Sequence, residues 1–295
     1  MKKIAVVGSI NMDLTCQAER HPGKGETISG RDLQYIPGGK GANQAVAAAR
    51  LGGDVTMFGC VGDDAFADRL VDNLKANGVK TDYIRRVSDI SSGIALITVA
   101  QNDNSIVVIP GANSCVSPAY LESVKDAVLE ADIIILQNEI PQETVLATVD
   151  MAYSAGKTVI YNPAPVVPLE AGVMDKISYL TPNEHEAVLL FGKTSLETLL
   201  SKYQGKLIVT LGEEGAAAWN GGEILKIPAR PAKVADTTGA GDTFNGAFAY
   251  AIANDYPMNQ ALRFANVAAS LSTEGYGAQG GMPKLKTVLY YLNEL

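Results

Sequence analysis

Short apolar runs alternate with longer amphipathic or alanine-rich segments along most of the 295-residue chain. Apolar runs of strand length predict strands, at 3–9, 55–61, 83–86, 93–100, 105–110, 132–137, 158–161, 179–181, 206–210, 215–219 and 223–227. The segments between them predict helices, within 37–53, over 65–77, 118–130 and 141–155, and from Asn183, Asp242, Met258 and Lys284. Because strands and helices alternate, the pattern predicts an α/β fold with a doubly wound, mostly parallel sheet and helices on both faces.

Two segments interrupt this alternation. Residues 14–37 contain short β-type pieces between Pro22, Gly23 and Gly30, which predicts a small antiparallel excursion from the main sheet. The apolar runs in 93–110 flank a polar turn and predict a hairpin that could pair with this excursion. No internal repeat or low-complexity linker divides the chain, so we expect residues 1–295 to form a single domain.

Polar residues follow the predicted strands at several successive strand ends. They are Asn11, Asp13, Asn138, Glu139, Asn162, Asn183, Glu186, Thr210 and Gly212. In a doubly wound sheet, ligands bind in the crevice outside the carboxyl ends of the strands. We therefore expect these positions to share one ligand cleft.

Composition and charge narrow the class of ligand. The formal net charge is −8 and no run of lysine or arginine is present, which argues against a nucleic acid or an anionic membrane as partner. No stretch reaches the ~20 apolar residues of a membrane-spanning helix. Three cysteines without metal-type spacing and two separated histidines predict neither a disulfide framework nor a zinc site. These features favour a cytoplasmic protein with a small-molecule ligand.

The segment DTTGAGDTFNGAFAYA, residues 236–251, combines a glycine turn, one acid and a helix start. Gly239 and Gly241 permit close backbone approach, and the amides of Ala240, Gly241 and Asp242 are expected at a helix N-terminus, which attracts anions. The Asp242 carboxylate would repel a bound phosphate, but it suits a site where a hydroxyl loses its proton as it attacks the phosphate. The alternative interpretation is that Asp242 only caps the helix.

A second glycine-rich helix start is PGGKGANQAVAAARLGG, residues 37–53. It differs from a dinucleotide-binding fingerprint, because it gives G-x-G-x-x-Q and follows the excursion instead of a strand–helix turn. It also differs from a phosphate-binding P-loop, because Gly41 follows Lys40 where Ser or Thr is required. Neither common type of nucleotide site is therefore predicted here.

These two segments resemble the signature motifs of the ribokinase-like (PfkB) carbohydrate kinases. Three further stretches are similar to the same family, namely NPAP at 162–165, TPNEHEA at 181–187 and VTLGEEG at 209–215. The similarity runs in register from about Ile4 to Pro283. The resemblance implies a ribokinase-like fold in which segments 12–37 and 92–111 form a small β-sheet lid, which covers the substrate and makes the contact of a homodimer.

The resemblance also implies that ATP phosphorylates the 5-hydroxyl of D-ribose, with Asp242 as catalytic base and Gly239, Ala240 and Gly241 as the anion hole. The sugar-binding residues that it implies are Asn11, Asp13, Gly39, Lys40, Asn43, Glu139 and Asp242. The implied ATP-binding residues are Asn183, Thr210, Gly212, Gly215, Gly241 and Asn266. Glu186 resembles the residue that organises Mg²⁺, through water, and the implied ligands of an activating K⁺ are Asp236, Thr238, Ser272, Gly275 and Gly277. Gly281 departs from the family pattern, in which a serine often supplies a K⁺ ligand.

Other substrates and another class of protein stay open at this point. 2-Deoxyribose is the nearest rival, because the implied sugar ligands alone do not reveal whether a 2-hydroxyl is bound, and fructose and a nucleoside are further rivals. A nucleoside kinase is expected to offer aromatic or large apolar groups to a base. Met12, Tyr35 and Ile36 are not sufficient to support a nucleoside as the substrate. The alternative from a different class is a non-catalytic sugar or nucleotide sensor, against which the intact Asp242 argues.

Overall fold

The computed structural model describes residues 2–101 and 103–294. Asn102, within the predicted lid segment 92–111, lies outside the described residues, as do residues 1 and 295. The strands, β1 to β13 in chain order, are Lys3–Val7, Asn11–Ala18, Gly30–Gly38, Asp54–Val61, Lys80–Arg86, Gly93–Ala100, Asp103–Ile109, Ile133–Leu136, Thr158–Tyr161, Tyr179–Leu180, Ile208–Thr210, Ala216–Asn220 and Glu223–Ile227. The α-helices, α1 to α10, are Lys40–Arg50, Ala67–Ala76, Pro118–Leu129, Gln142–Ser154, Val173–Lys176, Glu184–Phe191, Leu196–Lys202, Ala240–Ala253, Met258–Ser272 and Leu285–Glu294.

Six strands form the central sheet in the order β10-β9-β8-β1-β4-β5, and every neighbouring pair is parallel. These strands are aliphatic on both faces because helices cover both sides. Ile4 and Val6 of β1 belong to one core, with α1, α8 and α9, whereas Ala5 and Val7 belong to a second core, with α3 and α4. The doubly wound α/β sheet predicted from the sequence is confirmed.

The strand order reverses between β1 and β8, which marks the point where folds of this type bind their ligands. Gly8 and Ser9 follow β1 there, and Gln137 and Glu139 follow β8. A Cβ on Gly8 would collide with Gln137 Oε1 and lie 2.9 Å from the Cα atom of Gly41. The loop after β1 therefore packs directly against the start of α1.

Helices α1 and α8 approach each other closely through small residues. A Cβ on Gly246 of α8 would lie 2.6 Å from the Cβ atom of Ala47 and 2.6 Å from the carbonyl oxygen of Gln44, both on α1. Only glycine fits this contact without displacement. The contact brings the first turns of the two helices, which carry the two glycine-rich motifs, next to each other.

Strands β3, β2, β6 and β7 form a separate four-stranded sheet in that order. Strand β2 pairs antiparallel with β3 and parallel with β6, and β6 pairs antiparallel with β7. The predicted pairing of the 93–110 hairpin with the excursion is therefore confirmed. The excursion begins earlier than predicted, at Asn11 instead of Leu14, so Asn11 and Asp13 lie within β2.

Strands β11, β12 and β13 form an antiparallel sheet next to β10. Helices α5 and α7 are not predicted by the sequence pattern, although the Ser195 hydroxyl caps α7 by accepting a hydrogen bond from Thr198 N. Helix α8 begins at Ala240 after Gly239, not at Asp242. The interpretation of Asp242 as the helix cap is therefore wrong, because this residue lies inside the first turn. In the described part of the chain, no helix is both long enough and apolar enough to cross a membrane.

Candidate active site

The two glycines at the start of α8 differ in their backbone conformation and in the space around them. Gly239 is the N-cap with a φ of 78°, and a Cβ on it would collide with the carbonyl oxygen of Ala278. At Gly241, by contrast, nothing lies within 4 Å of the position that a Cβ would take. The space in front of this turn is therefore open. Of the amides expected to face an anion, that of Ala240 donates to Thr237 O at 3.2 Å, so it already has a partner.

Asp242 lies in the first turn of α8 and is only 7% exposed. Its Oδ2 accepts a hydrogen bond from Asn43 Nδ2 and its Oδ1 accepts one from Gln44 Nε2, each at 2.9 Å. Both donors lie in the first turn of α1. The two glycine-rich motifs therefore meet at this carboxylate, as the close packing of α1 against α8 requires.

Glu139 holds the N-terminus of α1. Its Oε2 accepts hydrogen bonds from Lys40 N at 3.0 Å and from Ser9 Oγ at 2.5 Å. A carboxylate is favourable there because free amides and the helix dipole are positive. Gly39, which precedes the helix, has a φ of 88°, and a Cβ on it would lie 2.7 Å from Asn11 N. Glu139 therefore ties the start of α1 to the loop after β1.

Asn11 is held by a residue that sequence reasoning missed. Its Oδ1 accepts a hydrogen bond from Asn113 Nδ2 at 2.6 Å, and Asn113 Oδ1 accepts one from Ile10 N at 2.9 Å. Asn113 is buried and follows β7 in a short 3-10 helix, Gly111–Cys115. No local pattern marks it, because its partners lie about a hundred residues earlier in the chain.

The charges around Asp242 influence one another. Burial raises the pKa of Asp13 to about 7, and repulsion from Glu139 and Asp242 adds to the effect. Burial acts to lower the pKa of Lys40, but attraction by Asp242, Glu139 and Glu186 outweighs it, and the pKa is raised. Asp13 is therefore protonated more readily than an ordinary aspartate, while Lys40 keeps its charge.

A cleft of about 950 Å³ opens beside Asp242. All the residues predicted to bind ATP line it, namely Asn183, Thr210, Gly212, Gly215, Gly241 and Asn266. Lys40, Asn162 and Glu186 also line it. Within the described residues, its lining omits Asn11, Asp13, Asn43, Asn138 and Glu139. The expectation that all strand-end residues share one cleft is therefore only partly right.

Asn138 illustrates why a strand-end position need not face a ligand. Its Oδ1 accepts a hydrogen bond from the Tyr161 hydroxyl at 2.6 Å, and its Nδ2 donates to Pro165 O at 2.8 Å. Both ends of this buried amide are used to hold the loop after β9.

Two residues of the cleft form a capping box at the start of α6. Asn183 Oδ1 accepts from Glu186 N and Asn183 N donates to Glu186 Oε2, each at 2.8 Å. Burial raises the pKa of Glu186, while the Asn183 hydrogen bond and the charge of Lys40 act in the opposite direction. Asn266 Nδ2 donates to Ile227 O at 2.7 Å. These side chains are therefore fixed by the fold itself.

The segment between β13 and the glycine turn lines the same cleft and was not predicted to do so. It contributes Ala229, Arg230, Pro231, Ala232 and Val234. Arg230 Nη1 donates to Glu274 Oε1 at 2.9 Å, and its guanidinium lies 4.0 Å from the ring centroid of Tyr291. A proline-containing loop without glycine or acid motifs gives no sequence signal for ligand contact.

The predicted K⁺ residues lie in and next to the loop that follows α9. Asp236 Oδ1 accepts from Thr238 N and Oδ2 accepts from Gly277 N, each at 2.9 Å. Burial acts to raise the pKa of Asp236, but these hydrogen bonds outweigh it and the pKa is lowered. A Cβ on Gly281 would collide with Ser272 O, so this backbone arrangement excludes a serine there. Over 2–101 and 103–294, no group of three or more His, Cys, Asp and Glu residues could hold a metal ion.

Comparison with known proteins places this geometry in a family. The model of the pfkB family carbohydrate kinases matches residues 1–285. A ribokinase from Lactococcus lactis is 48% identical over 100% of this chain and 98% of its own length. The crystal structure of a Thermotoga maritima ribokinase has a TM-score of 0.91 at 34% identity, covering 99% of this chain and 100% of that one. The structure of an Arabidopsis thaliana ribokinase complexed with ribose and ATP has a TM-score of 0.89 at 35% identity, covering 99% and 98%.

The fold and the site define an ATP-dependent carbohydrate kinase. The chain belongs to the pfkB family of carbohydrate kinases.

Proposed function

We propose that this chain transfers the γ-phosphoryl group of ATP to the 5-hydroxyl of D-ribose and releases D-ribose 5-phosphate and ADP. The observation that carries the proposal is the place of Asp242, which contacts Asn43, influences Asp13 and also lines the large cleft. A sugar held on one side and a nucleotide held in the cleft would meet at this carboxylate. The 48% identity to the L. lactis ribokinase supports ribose as the sugar.

Asp242 accepts the proton of the 5-hydroxyl as its oxygen attacks the γ-phosphorus, and the bond from the γ-phosphorus to ADP breaks. Such a transfer depends on alignment and charge stabilisation more than on covalent help. Gly239, Ala240 and Gly241 form the turn that presents the positive end of the α8 dipole to the developing charge, although the Ala240 amide itself donates to Thr237 O. Lys40, which lines the cleft and has a raised pKa despite its burial, provides a positive charge beside the phosphates.

The sugar is held by the side chains and backbone around β2 and the start of α1. The proposed set is Asn11, Asp13, Gly39, Lys40, Asn43 and Glu139. Carboxylate and amide oxygens accept hydrogen bonds from sugar hydroxyls, and amide nitrogens donate them. A sugar that leaves these buried groups without partners binds poorly, which gives specificity.

The nucleotide occupies the cleft, with Asn183, Thr210, Gly212, Gly215, Gly241 and Asn266 as its proposed contacts. Glu186 fits a role in holding Mg²⁺ through water, because this acidic residue lines the same cleft. Bound with ATP, the ion neutralises negative charge on the phosphates. The proposed contacts would hold ATP in the cleft that Asp242 also lines.

An activating K⁺ is proposed at the loop after α9. The Asp236 carboxylate and the oxygens of Thr238, Ser272, Gly275 and Gly277 are the hard donors that such an ion needs. Gly281 adds no side-chain donor. We expect the site to bind K⁺ through backbone oxygens in place of a serine.

The four-stranded sheet is proposed to act as a lid over the sugar and as the contact of a homodimer in the cytoplasm. Large apolar side chains are exposed on it, namely Leu33, Leu96, Val99, Ile106, Val107, Val108 and Ile109. Exposed apolar patches of this kind are characteristic of interaction surfaces. Closure of a lid also excludes water, which would otherwise accept the phosphoryl group.

A coupled assay of ADP release tests the proposal with D-ribose, 2-deoxyribose, fructose and adenosine, each with Mg-ATP and with or without K⁺. We expect the highest kcat/KM for ribose and an increase with K⁺. A higher kcat/KM for another member of the panel would replace ribose as the substrate. Tight sugar binding without turnover of any member would instead support a non-catalytic sensor.

A further inference from the structure

Gln44 is a fully buried amide at the centre of the site, next to a residue to which the proposed reaction assigns the proton transfer. Its Nε2 donates to Asp242 Oδ1 at 2.9 Å and to Asn162 Oδ1 at 3.1 Å. Its Oε1 accepts from Gln137 Nε2 at 2.8 Å. The Gln44 side chain thus connects α1 to α8 and to the loops after β8 and β9 through three hydrogen bonds.

The neighbours of Gln44 permit only one orientation of its amide. A flipped amide would direct its oxygen toward the Asp242 carboxylate and its NH₂ group toward the NH₂ group of Gln137. Asn162 supports the same orientation, because its own Nδ2 donates to Thr181 O at 3.2 Å and leaves its oxygen as the acceptor. Asp242 and Asn162 therefore fix the direction in which Gln44 donates, and Gln137 Nε2 pairs with the oxygen at the other side of the amide.

We propose that Gln44 is a positioning residue for Asp242 and that Gln137 acts through it. Gln44 holds one carboxylate oxygen at a fixed place, so that the other oxygen, held by Asn43, keeps its direction toward the sugar hydroxyl. The inference rests on the proposed function, in which Asp242 accepts the proton of that hydroxyl.

Burial separates this role from sugar binding. Gln44 and Gln137 are both 0% exposed, so neither side chain can touch a sugar or a nucleotide in the cleft. The charged groups that influence or are influenced by Asp242 are Asp13 on β2, Lys40 on α1 and Glu186 on α6. A change at Gln44 leaves all three charges in place, and its effects on the pH profile can therefore be assigned to the lost hydrogen bond.

The test replaces Gln44 by methionine, which keeps the approximate length of the side chain but donates no hydrogen bond. We expect kcat to fall about 10- to 100-fold, within the range that a positioned general base contributes, with the ribose KM changed less than about 2-fold. The acid limb of the kcat–pH profile should move toward higher pH, because a hydrogen bond donated to a carboxylate stabilises its charged form.

Gln137→Met should shift kcat and the acid limb in the same direction but less. In the Gln44→Met background it should add less than about 2-fold, because its effect passes through Gln44. Thr148→Val is the matched control, since it removes a buried hydrogen bond to Thr144 O within α4. It should leave kcat and the pH profile unchanged.

The melting temperature and ribose binding in calorimetry show whether the Gln44→Met protein is folded. A folded Gln44→Met protein that has the wild-type kcat and pH profile would overturn the inference. If that variant does not fold, a wild-type pH profile in Gln137→Met overturns it instead. Failure of the proposed function gives a different result, because Asp242→Asn would then retain turnover. Loss of turnover in Asp242→Asn together with a wild-type Gln44→Met refutes the positioning role alone.

Discussion

Replacing Gly241 by alanine adds one methyl group to the open space in front of the first turn of α8. The protein accommodates that methyl, because nothing lies within 4 Å of the Cβ position. Alanine within a helix is also more favourable than glycine by about 0.5–1 kcal/mol. We therefore expect the free energy of unfolding of Gly241→Ala, measured with urea, to equal or slightly exceed that of the wild type.

The activity of the same variant should collapse. The methyl group would occupy the space proposed for the transferred phosphoryl group and push it away from the backbone donors at Gly239 and Gly241. Loss of one preorganised donor of this kind costs about 100- to 1,000-fold in kcat, or roughly 3–4 kcal/mol. A coupled assay with saturating ribose and ATP measures this directly.

Gly239→Ala is the matched comparison. Its φ of 78° and the collision of a Cβ with Ala278 O make the folded state itself strained, at a cost of about 1–3 kcal/mol. It should therefore lose stability and activity together, whereas Gly241→Ala should lose only activity. A Gly241→Ala protein with wild-type kcat would refute the assignment of this space to a reacting group.

Three further predictions concern stability and sugar binding. Burial raises the pKa of the Asp13 carboxyl to about 7, so the folded protein binds a proton at Asp13 more tightly than the unfolded chain does. The contribution of Asp13 to stability therefore declines as pH rises from about 4 to about 7. Asp13→Asn should remove that decline, at most ~4 kcal/mol, in urea unfolding measured at several pH values; an unaltered pH dependence would count against it. Gly246→Ala should lower the unfolding free energy by about 1–3 kcal/mol, because its methyl group has no room beside Ala47, and an unchanged melting temperature would contradict the close packing. Gln279→Ala should weaken ribose binding in calorimetry by about 10-fold, because Gln279 Nε2 donates to Asn43 Oδ1 at 2.9 Å; unchanged affinity would disprove this support.

The sequence predicts the central sheet well because its signal is local. Strand β9 matches its predicted range of 158–161, and β4 and β10 agree with theirs to within one residue. The glycine-rich motifs are also local, since their backbone geometry depends on residues a few positions apart. Helix α7 gave no such signal, and the start of α8 at Ala240 depends on the left-handed turn at Gly239.

The arrangement of the amides around Asp242 could not be predicted in the same way. Gln44 lies within the glycine-rich segment 37–53, but its partner Gln137 lies 93 residues away in the chain. Similarly, Gln279 lies 236 residues from its partner Asn43. Such contacts arise only when α1, α8 and the strand ends are packed together. Amide side chains are common, so their types and spacing do not reveal which of them meet.

The turnover of Asp242→Asn with ribose and ATP, measured together with ribose binding by calorimetry, tests most directly whether Asp242 accepts the sugar proton. We expect a folded protein that binds ribose about as well as the wild type and whose kcat is lower by ~100-fold or more, the scale of losing a general base. Near-normal kcat in this variant would contradict the assignment of Asp242 as the group that accepts the sugar proton.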